Sequence, residues 1–369
     1  MEVIFGNLLN ITWQHAVMWI IGGVLIYLAI KKDMEPTLLL PMGFGAILVN
    51  LPLSGAVTQG AEEGVIDILF NAGIANELFP LLLFIGIGAM IDFGPLLSNP
   101  KLMLFGAAAQ FGIFMTLSFA TLLGFDIKDA ASIAIIGAAD GPTSIFVANY
   151  FKTEYVGAIV VAAYSYMALV PIVQPPVIKL LTTKKERRIR MPYNPKKVSK
   201  LTKILFPIVI TVITGIVSPK SVSLIGFLMF GNLIRECGVL NNLSETAQKS
   251  LANLVTILLG ITISTKMQAA AFLRTETLMI IGLGLVAFIF DTAGGVLFAK
   301  FLNLFTKKKI NPMIGAAGIS AFPMSSRVVH KMGLAEDNQN FLLMHSTGVN
   351  VSGQIASVIA GGLILNILG

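Results

Sequence analysis

The stretch Ile136-Gly-Ala-Ala-Asp140-Gly-Pro-Thr-Ser144 decides how the rest of this chain is read. Its flanks are apolar, yet Gly137, Gly141 and Pro142 are all poor residues for the interior of a helix, so a helix has to break here. The break exposes unpaired carbonyls and N–H groups beside a carboxylate and a hydroxyl. Such a group of oxygens suits a hard cation like Na⁺, and a carboxylate at membrane depth can exchange Na⁺ for H⁺. The bland alternative is a structural turn in which Asp140 caps a half-helix.

The surroundings are lipid. Of 369 residues 55% are hydrophobic and only 12% are charged, against about 25% charge in a soluble domain. With a mean hydropathy of +0.83, the chain can bury its apolar surface only against itself and a bilayer. The fold expected is therefore an all-α polytopic membrane protein. One cysteine (Cys237) excludes a disulfide framework, and three histidines leave little for a metal hydrolase. The net charge of +7 is what cytoplasmic loops of a membrane protein produce, and nucleic acid is not an expected partner. The first apolar run, Trp13 to Ile30, has no basic segment before it and is followed by Lys31-Lys32, so it is expected to stay as a membrane helix.

Apolar runs occur at 13–30, 37–55, 78–93, 101–124, 130–150, 155–181, 201–217, 220–236, 249–264, 276–303, 311–331 and 339–368. A span needs roughly 20 apolar residues, so several are short or broken. Between residues 182 and 203 nine of the 26 basic residues (Lys184, Lys185, Arg187, Arg188, Arg190, Lys196, Lys197, Lys200, Lys203) accompany a single acid, Glu186, which puts this loop in the cytoplasm. The loop separates two halves that echo each other. Gly64-Val-Ile-Asp-Ile-Leu recurs as Gly238-Val-Leu-Asn-Asn-Leu and Ile85-Gly-Ile as Leu259-Gly-Ile, both at an offset of 174; Ile136-Gly-Ala-Ala recurs as Ile314-Gly-Ala-Ala at 178. An internal duplication with a site at its interface is the transporter pattern. Keeping Lys31-Lys32, Lys101, the basic loop, Arg235 and Lys307-Lys308-Lys309 on one side makes the repeats inverted, with the segments at 130–150 and 311–331 re-entrant or broken. The domains expected are an N-terminal membrane helix (1–34), a first inverted repeat (35–181, broken at 137–144), a basic linker with a connecting helix (182–219) and a second inverted repeat (220–369, broken at 311–327).

The second break, Asn311-Pro-Met-Ile-Gly315-Ala-Ala-Gly-Ile-Ser320-Ala-Phe-Pro-Met-Ser-Ser-Arg327, offers neutral oxygens from Asn311, Ser320, Ser325 and Ser326. It also offers a guanidinium, Arg327, able to hold a carboxylate in bidentate fashion; the plainer reading is an arginine snorkelling at a helix end. Tyr164 and Tyr166 lie in an apolar run, where a phenol relays a proton or anchors a helix at the interface. Asp291 and Asn350 are further polar groups at depth that also read as interhelical glue, and the glycines and small residues of 353–362 as a packing face. His330 and His345 read as structural.

Taken together, Ala138-Ala-Asp140-Gly-Pro-Thr-Ser-Ile-Phe, Tyr164-Ser-Tyr-Met-Ala-Leu-Val-Pro, Ile319-Ser-Ala-Phe-Pro-Met-Ser-Ser-Arg-Val and Met344-His-Ser-Thr-Gly-Val-Asn-Val-Ser-Gly resemble the β subunit of biotin-dependent, sodium-pumping decarboxylases, over most of the chain from about residue 35. The resemblance implies an elevator-like pair of inverted repeats assembled as a homotrimer in the inner membrane of a prokaryote. It implies partners too: a carboxyltransferase α subunit, a biotin carrier and a small membrane γ/δ subunit. This chain would decarboxylate carboxybiotin and export Na⁺ with consumption of a proton. The family's functional residues fall on Asp140, Tyr166, Asn311, Gly315, Ser320 and Arg327, giving Tyr166, Arg327 and Asp140 as catalytic, Arg327 as the carboxybiotin clamp, Asp140, Asn311 and Ser320 as Na⁺ ligands, and Gly141, Pro142 and Gly315 as shaping the site. Two departures stand out. The closing motif has Ser-Thr-Gly-Val-Asn350 where the family has Ala-Met-Gly-Pro-Asn, and Ser325-Ser326 replaces a small apolar pair. The rival reading from another class is a stand-alone Na⁺-coupled carboxylate transporter; a passive scaffold leaves the matched Asp and Arg unexplained.

Overall fold

Twenty consecutive residues without an acid, Trp13–Lys32, form the first helix, α1, and the apolar pattern goes on giving helices to the last residue but one. The computed structural model describes residues 10–32, 35–59, 62–193 and 197–369; the 33–34 boundary of the expected first domain and Lys196 lie outside the described residues. After α1 come α2 (Pro36–Val49), α3 (Val65–Gly73), α4 (Leu78–Met90), α5 (Gly94–Ser98), α6 (Met103–Ala109), α7 (Phe111–Leu122), α8 (Ile127–Ala134), α9 (Gly141–Tyr150) and α10 (Val156–Leu181). The basic loop contains α11 (Lys184–Arg187). There follow α12 (Lys200–Val217), α13 (Val222–Cys237), α14 (Asn241–Thr246), α15 (Ala252–Ile263), α16 (Ala269–Phe272), α17 (Thr275–Phe305), α18 (Met324–Glu336) and α19 (Leu343–Leu368). Among the described residues six helices are long and apolar enough to span a bilayer, or up to eight if each sharply bent pair is one span. This is a multi-pass membrane protein. One of the bends, of 68°, divides α10 after Met167. Pro171 explains it, because it has no N–H for the carbonyl four residues back.

The order of elements recurs. Helix α4 begins at residue 78 and α15 at 252, the offset of 174 read from the sequence, and the two Ile-Gly-Ala-Ala motifs both lie in 3₁₀ turns, at Ile135–Ala138 and Pro312–Gly318. Each set opens with an apolar helix, α1 or α12, and closes with a 26-residue one, α10 or α19.

One layer crosses the halves. Helix α4 packs on α13 and α15 on α2. Glycines make both crossings close, since a Cβ on Gly88 or Gly231 would strike the opposing backbone, as would one on Gly45 or Gly260 strike the other pair. An asparagine from one half then satisfies carbonyls where the other half's helix ends. Asn232 donates to Ile91 O at 2.9 Å, and Asn50 donates to Met267 O at 2.8 Å while accepting from Ala269 N at 2.7 Å.

The second layer holds the two breaks. Helix α17, 31 residues and about 46 Å long, is its spine. Residues 125–155 leave and return at one end of it: the Phe125 and Tyr155 rings meet at 5.7 Å, and Tyr155 shares a polar cavity with Thr277 near the start of α17. Residues 311–340 leave and return at the other end, where Asn311 Nδ2 and Asn340 Nδ2 each donate to Arg187 O at 2.9 Å. Each break is therefore a hairpin that leaves and returns at one end of α17, the two at opposite ends.

The basic loop is a strap across the second hairpin's base. Arg187 pairs with Glu336 at 2.6 Å, Lys300 with Glu186 at 3.2 Å, and Arg190 holds Asp337 through Nε at 2.6 Å and Nη2 at 2.9 Å. Lys101 shares a cavity with Pro192 and Tyr193 of the strap, and Lys203 pairs with Asp92 and with Glu236, next to Arg235. Lys101, Lys203, Arg235 and the cations of the strap thus gather at one end.

Two predictions follow from these contacts. The backbones of Gly295 and Gly315 touch, so a Cβ on either would overlap the other. Gly295→Ala should cost about 1–3 kcal/mol by overpacking, read as a lowered melting temperature of the detergent-solubilised protein. Hydrogen bonds from Arg190 hold the Asp337 carboxyl below its ordinary value. The bond is therefore complete above the free carboxylate's pKa of about 3.9 and is lost as pH falls through the lowered value. Hydrogen exchange of the strap amides around Arg190 should rise below about pH 4, and should already be raised at neutral pH in Asp337→Asn.

Candidate functional site

The two hairpin tips meet at membrane depth. Along the first, the 3₁₀ turn Ile135–Ala138 ends in Ala139, whose φ of 51° lies in the left-handed region, and α9 starts just beyond with Pro142 where a missing N–H costs nothing. Asp140 is the N-cap of α9. Its Oδ1 accepts from Thr143 N at 3.3 Å, and its Oδ2 accepts from Thr143 Oγ1 at 2.7 Å and from Ser357 Oγ of α19 at 3.0 Å. Ser144 Oγ closes the turn on Asp140 O at 2.9 Å. The side chain is 3% exposed. The second tip joins directly, Ser320 N donating to Ala138 O at 3.0 Å, while Ser320 Oγ donates to Gly353 O at 2.9 Å.

Helix α19 supplies what the sequence reading left aside. Asn350 donates to Ala317 O at 3.1 Å and Ile319 O at 2.7 Å, Gln354 Nε2 donates to Ser320 O, and Ser357 reaches Asp140. Asn350 Oδ1 and Gln354 Oε1 are buried and have no hydrogen-bond partner among the described residues. Two orphan oxygens thus lie on the helix that ties the second tip, and that reaches the Asp140 carboxylate through Ser357. Positions 350, 354 and 357, at i, i+4 and i+7, share one helix face, and that spacing was the available signal.

The predicted residues divide. Asp140, Gly141, Pro142 and Ser320 come together at the tips. Gly315 does not line the carboxylate; it gives hairpin two its contact with Gly295 of α17. Asn311 sits at the base of its hairpin. Seven residues of 3₁₀ helix, about 14 Å of rise, separate it from the tip, and its amide is taken up by Arg187 O and Ile189 O at 2.9 Å and by Met313 N at 3.1 Å. The structure does not bring Asn311 together with Asp140. Tyr166 is buried in one cluster with Ile136, Ala139, Ile319 and Ala321 of the two tips, its hydroxyl donating to Ile281 O of α17 and its ring packed on Gly284. Tyr164 is the phenol beside the tip: its ring fills the space over Gly141, and its buried hydroxyl has no partner. Arg327 lies one turn into α18, is exposed, and makes no side-chain hydrogen bond or ion pair among the described residues.

The class this defines is a multi-pass membrane protein with a buried carboxylate where two broken helices meet. The family model for the Na⁺-transporting oxaloacetate decarboxylase beta subunit matches residues 14–368, and the chain belongs to this family of sodium-pumping decarboxylase β subunits. It is 51% identical to the glutaconyl-CoA decarboxylase subunit beta of Acidaminococcus fermentans, over 97% of this chain and 94% of that protein. Identity is 50% with the methylmalonyl-CoA decarboxylase subunit beta of Veillonella parvula, over 98% and 95%, and 44% with the oxaloacetate decarboxylase beta chain of Klebsiella pneumoniae, over 97% and 96%.

Because a Cβ on Gly141 would overlap the Tyr164 ring, Gly141→Ala should push the phenol off the tip. Na⁺-dependent decarboxylation by the purified complex should fall at least about tenfold, as misplacement of a working group by an ångström does. An unchanged rate would remove Tyr164 from the site.

Proposed function

We propose that this chain is the subunit in which carboxybiotin, brought by a biotin carrier on a carboxyltransferase α subunit, is decarboxylated, with export of Na⁺ and uptake of a proton. The observation that carries the reading is the buried Asp140 carboxylate where the two tips meet, with two orphan oxygens, Asn350 Oδ1 and Gln354 Oε1, on the α19 face that holds those tips. Buried acceptors left without donors cost free energy unless a cation or a water fills them. Oxygen donors of this kind, one ionised and two neutral, suit Na⁺.

Asp140 then holds either Na⁺ or a proton, and the exchange between them carries the transport. Tyr164, buried against Gly141 with a free hydroxyl, is the proton relay in place of Tyr166. When bound, carboxybiotin supplies a carboxyl group that leaves as CO₂ once the ureido nitrogen is protonated. Arg327 fits that group because it is exposed and uncommitted, and its fork grips a carboxylate at two points. Both hairpins end at a site closed from either side, so release has to involve movement. We read the two element sets as inverted repeats (35–181 and 220–369), joined by the 182–219 segment and preceded by the 1–34 helix. Within them the hairpin layer slides past the α2–α4–α13–α15 layer as an elevator. One charge moved against 100 mV costs roughly 2.3 kcal/mol, which decarboxylation has to supply. A homotrimer with a small γ/δ subunit in the inner membrane of a prokaryote, the strap facing the cytoplasm, completes the reading.

The test is ²²Na⁺ uptake into proteoliposomes measured together with CO₂ release from carboxybiotin. Asp140→Asn should abolish both Na⁺ activation and uptake while the complex stays assembled. Arg327→Lys should cut turnover at least about tenfold, since a point charge does not replace a bidentate fork. Sodium-driven uptake of a carboxylate with no response to carboxybiotin would overturn the proposal in favour of a transporter.

A further inference from the structure

A second buried carboxylate, Asp291, lies midway along α17 and has no place in the mechanism above. It is 1% exposed, and neither oxygen has a hydrogen-bond partner among the described residues. Two glycines frame it. A Cβ on Gly112 of α7 would come within 2.5 Å of Oδ1, and a Cβ on Gly137 of the first hairpin within 2.5 Å of Oδ2. Gly137 is three residues before Asp140, so the two carboxylates flank one hairpin leg, Asp140 facing α19 and Asp291 facing α7.

A third orphan oxygen belongs here. Thr116 follows Gly112 by one turn on the same face of α7. It is fully buried, and its hydroxyl is unpartnered. That is unusual for this chain, where the helical threonines 121, 211, 256 and 262 each return a bond to the carbonyl four residues back. Helices α7 and α17 run antiparallel, Gly294 meeting Ala108 and Gly112 meeting Ala287 and Asp291. Thr116 therefore points at α17 about one turn before Asp291. No other charged side chain lies on the facing stretches, residues 111–122, 135–138 and 312–318. The nearest phenol, Tyr166, is committed to Ile281 O.

An ionised carboxylate enclosed in this way, with no basic partner, needs a counter-charge. The Gly112 and Ile113 amides at the start of α7 lie close by but make no hydrogen bond of good geometry to it, so they soften this need without meeting it. We propose that Asp291, with Thr116, is a second site for a monovalent cation, Na⁺ or a proton, behind the first hairpin. The competing outcome is a purely structural acid over the first turn of α7.

The proposal goes beyond the decarboxylase reading, and a binding measurement separates the two. Intact complex is equilibrated with ²²Na⁺, and protons released on Na⁺ addition and on alkaline titration are counted, for wild type, Asp291→Asn and Asp140→Asn. A sodium site predicts that Asp291→Asn binds one Na⁺ fewer per chain. A proton site predicts unchanged Na⁺ binding and, in Asp291→Asn, loss of one of the protons that wild type releases on Na⁺ addition, a loss that a purely structural acid does not give. Thr116→Val keeps the carboxylate and should weaken the Asp291-dependent occupancy roughly tenfold, which keeps the test decisive if Asp291→Asn fails to fold. If Asp291→Asn changes neither count, or Thr116→Val leaves occupancy untouched, the site is refuted. Loss of binding in Asp140→Asn speaks only to the first site.

Discussion

Non-helical backbone inside a bilayer survives only where protein satisfies it, and the whole arrangement answers that constraint. Two hairpins expose their broken ends at mid-depth. One bond, Ser320 N to Ala138 O, joins them, and α19 supplies the rest through Asn350 to Ala317 and Ile319 and through Gln354 to Ser320. The donors are spent on carbonyls, so the amide oxygens of Asn350 and Gln354 are left over. Holding the breaks together is thus what leaves those oxygens free on the helix face that also reaches Asp140 through Ser357.

Close approach makes this possible without bulky fillers. Glycines stand wherever the halves cross and wherever a hairpin touches the spine. Lipid gives apolar helices no hydrophobic reason to associate, so their cohesion comes from backbone proximity and from asparagine and threonine bonds. The strap works differently. Its ion pairs range from the more exposed Arg190–Asp337 to the largely buried Arg187–Glu336, and it gains its hold from tying together several carbonyls and two acidic side chains at one hairpin base.

Much of this was legible in the sequence because Gly and Pro punctuate apolar runs unmistakably. The breaks at 137–144 and 311–327, the recurrence at 174 and the basic segment that forms the strap all follow from residue type and spacing. The choice between Tyr164 and Tyr166 did not, since two residues apart on a helix means nearly opposite faces, and only packing shows which faces Asp140. Asn311 misled for a related reason: it belongs to the right hairpin, but a 3₁₀ leg stretches farther per residue than an α-helix and leaves it at the base. The polar face of α19 was visible as an i, i+4, i+7 pattern, hidden by small neighbours that read as packing.

Helix α17 touches both hairpins, the first beside Gly137 through Asp291 and the second at Gly315 through Gly295, one turn apart along the same rod. A rod gripped at two adjacent points cannot let one grip slip without loading the other. The two tips therefore form a single mechanical part, and filling a pocket beside either hairpin changes the load that both carry.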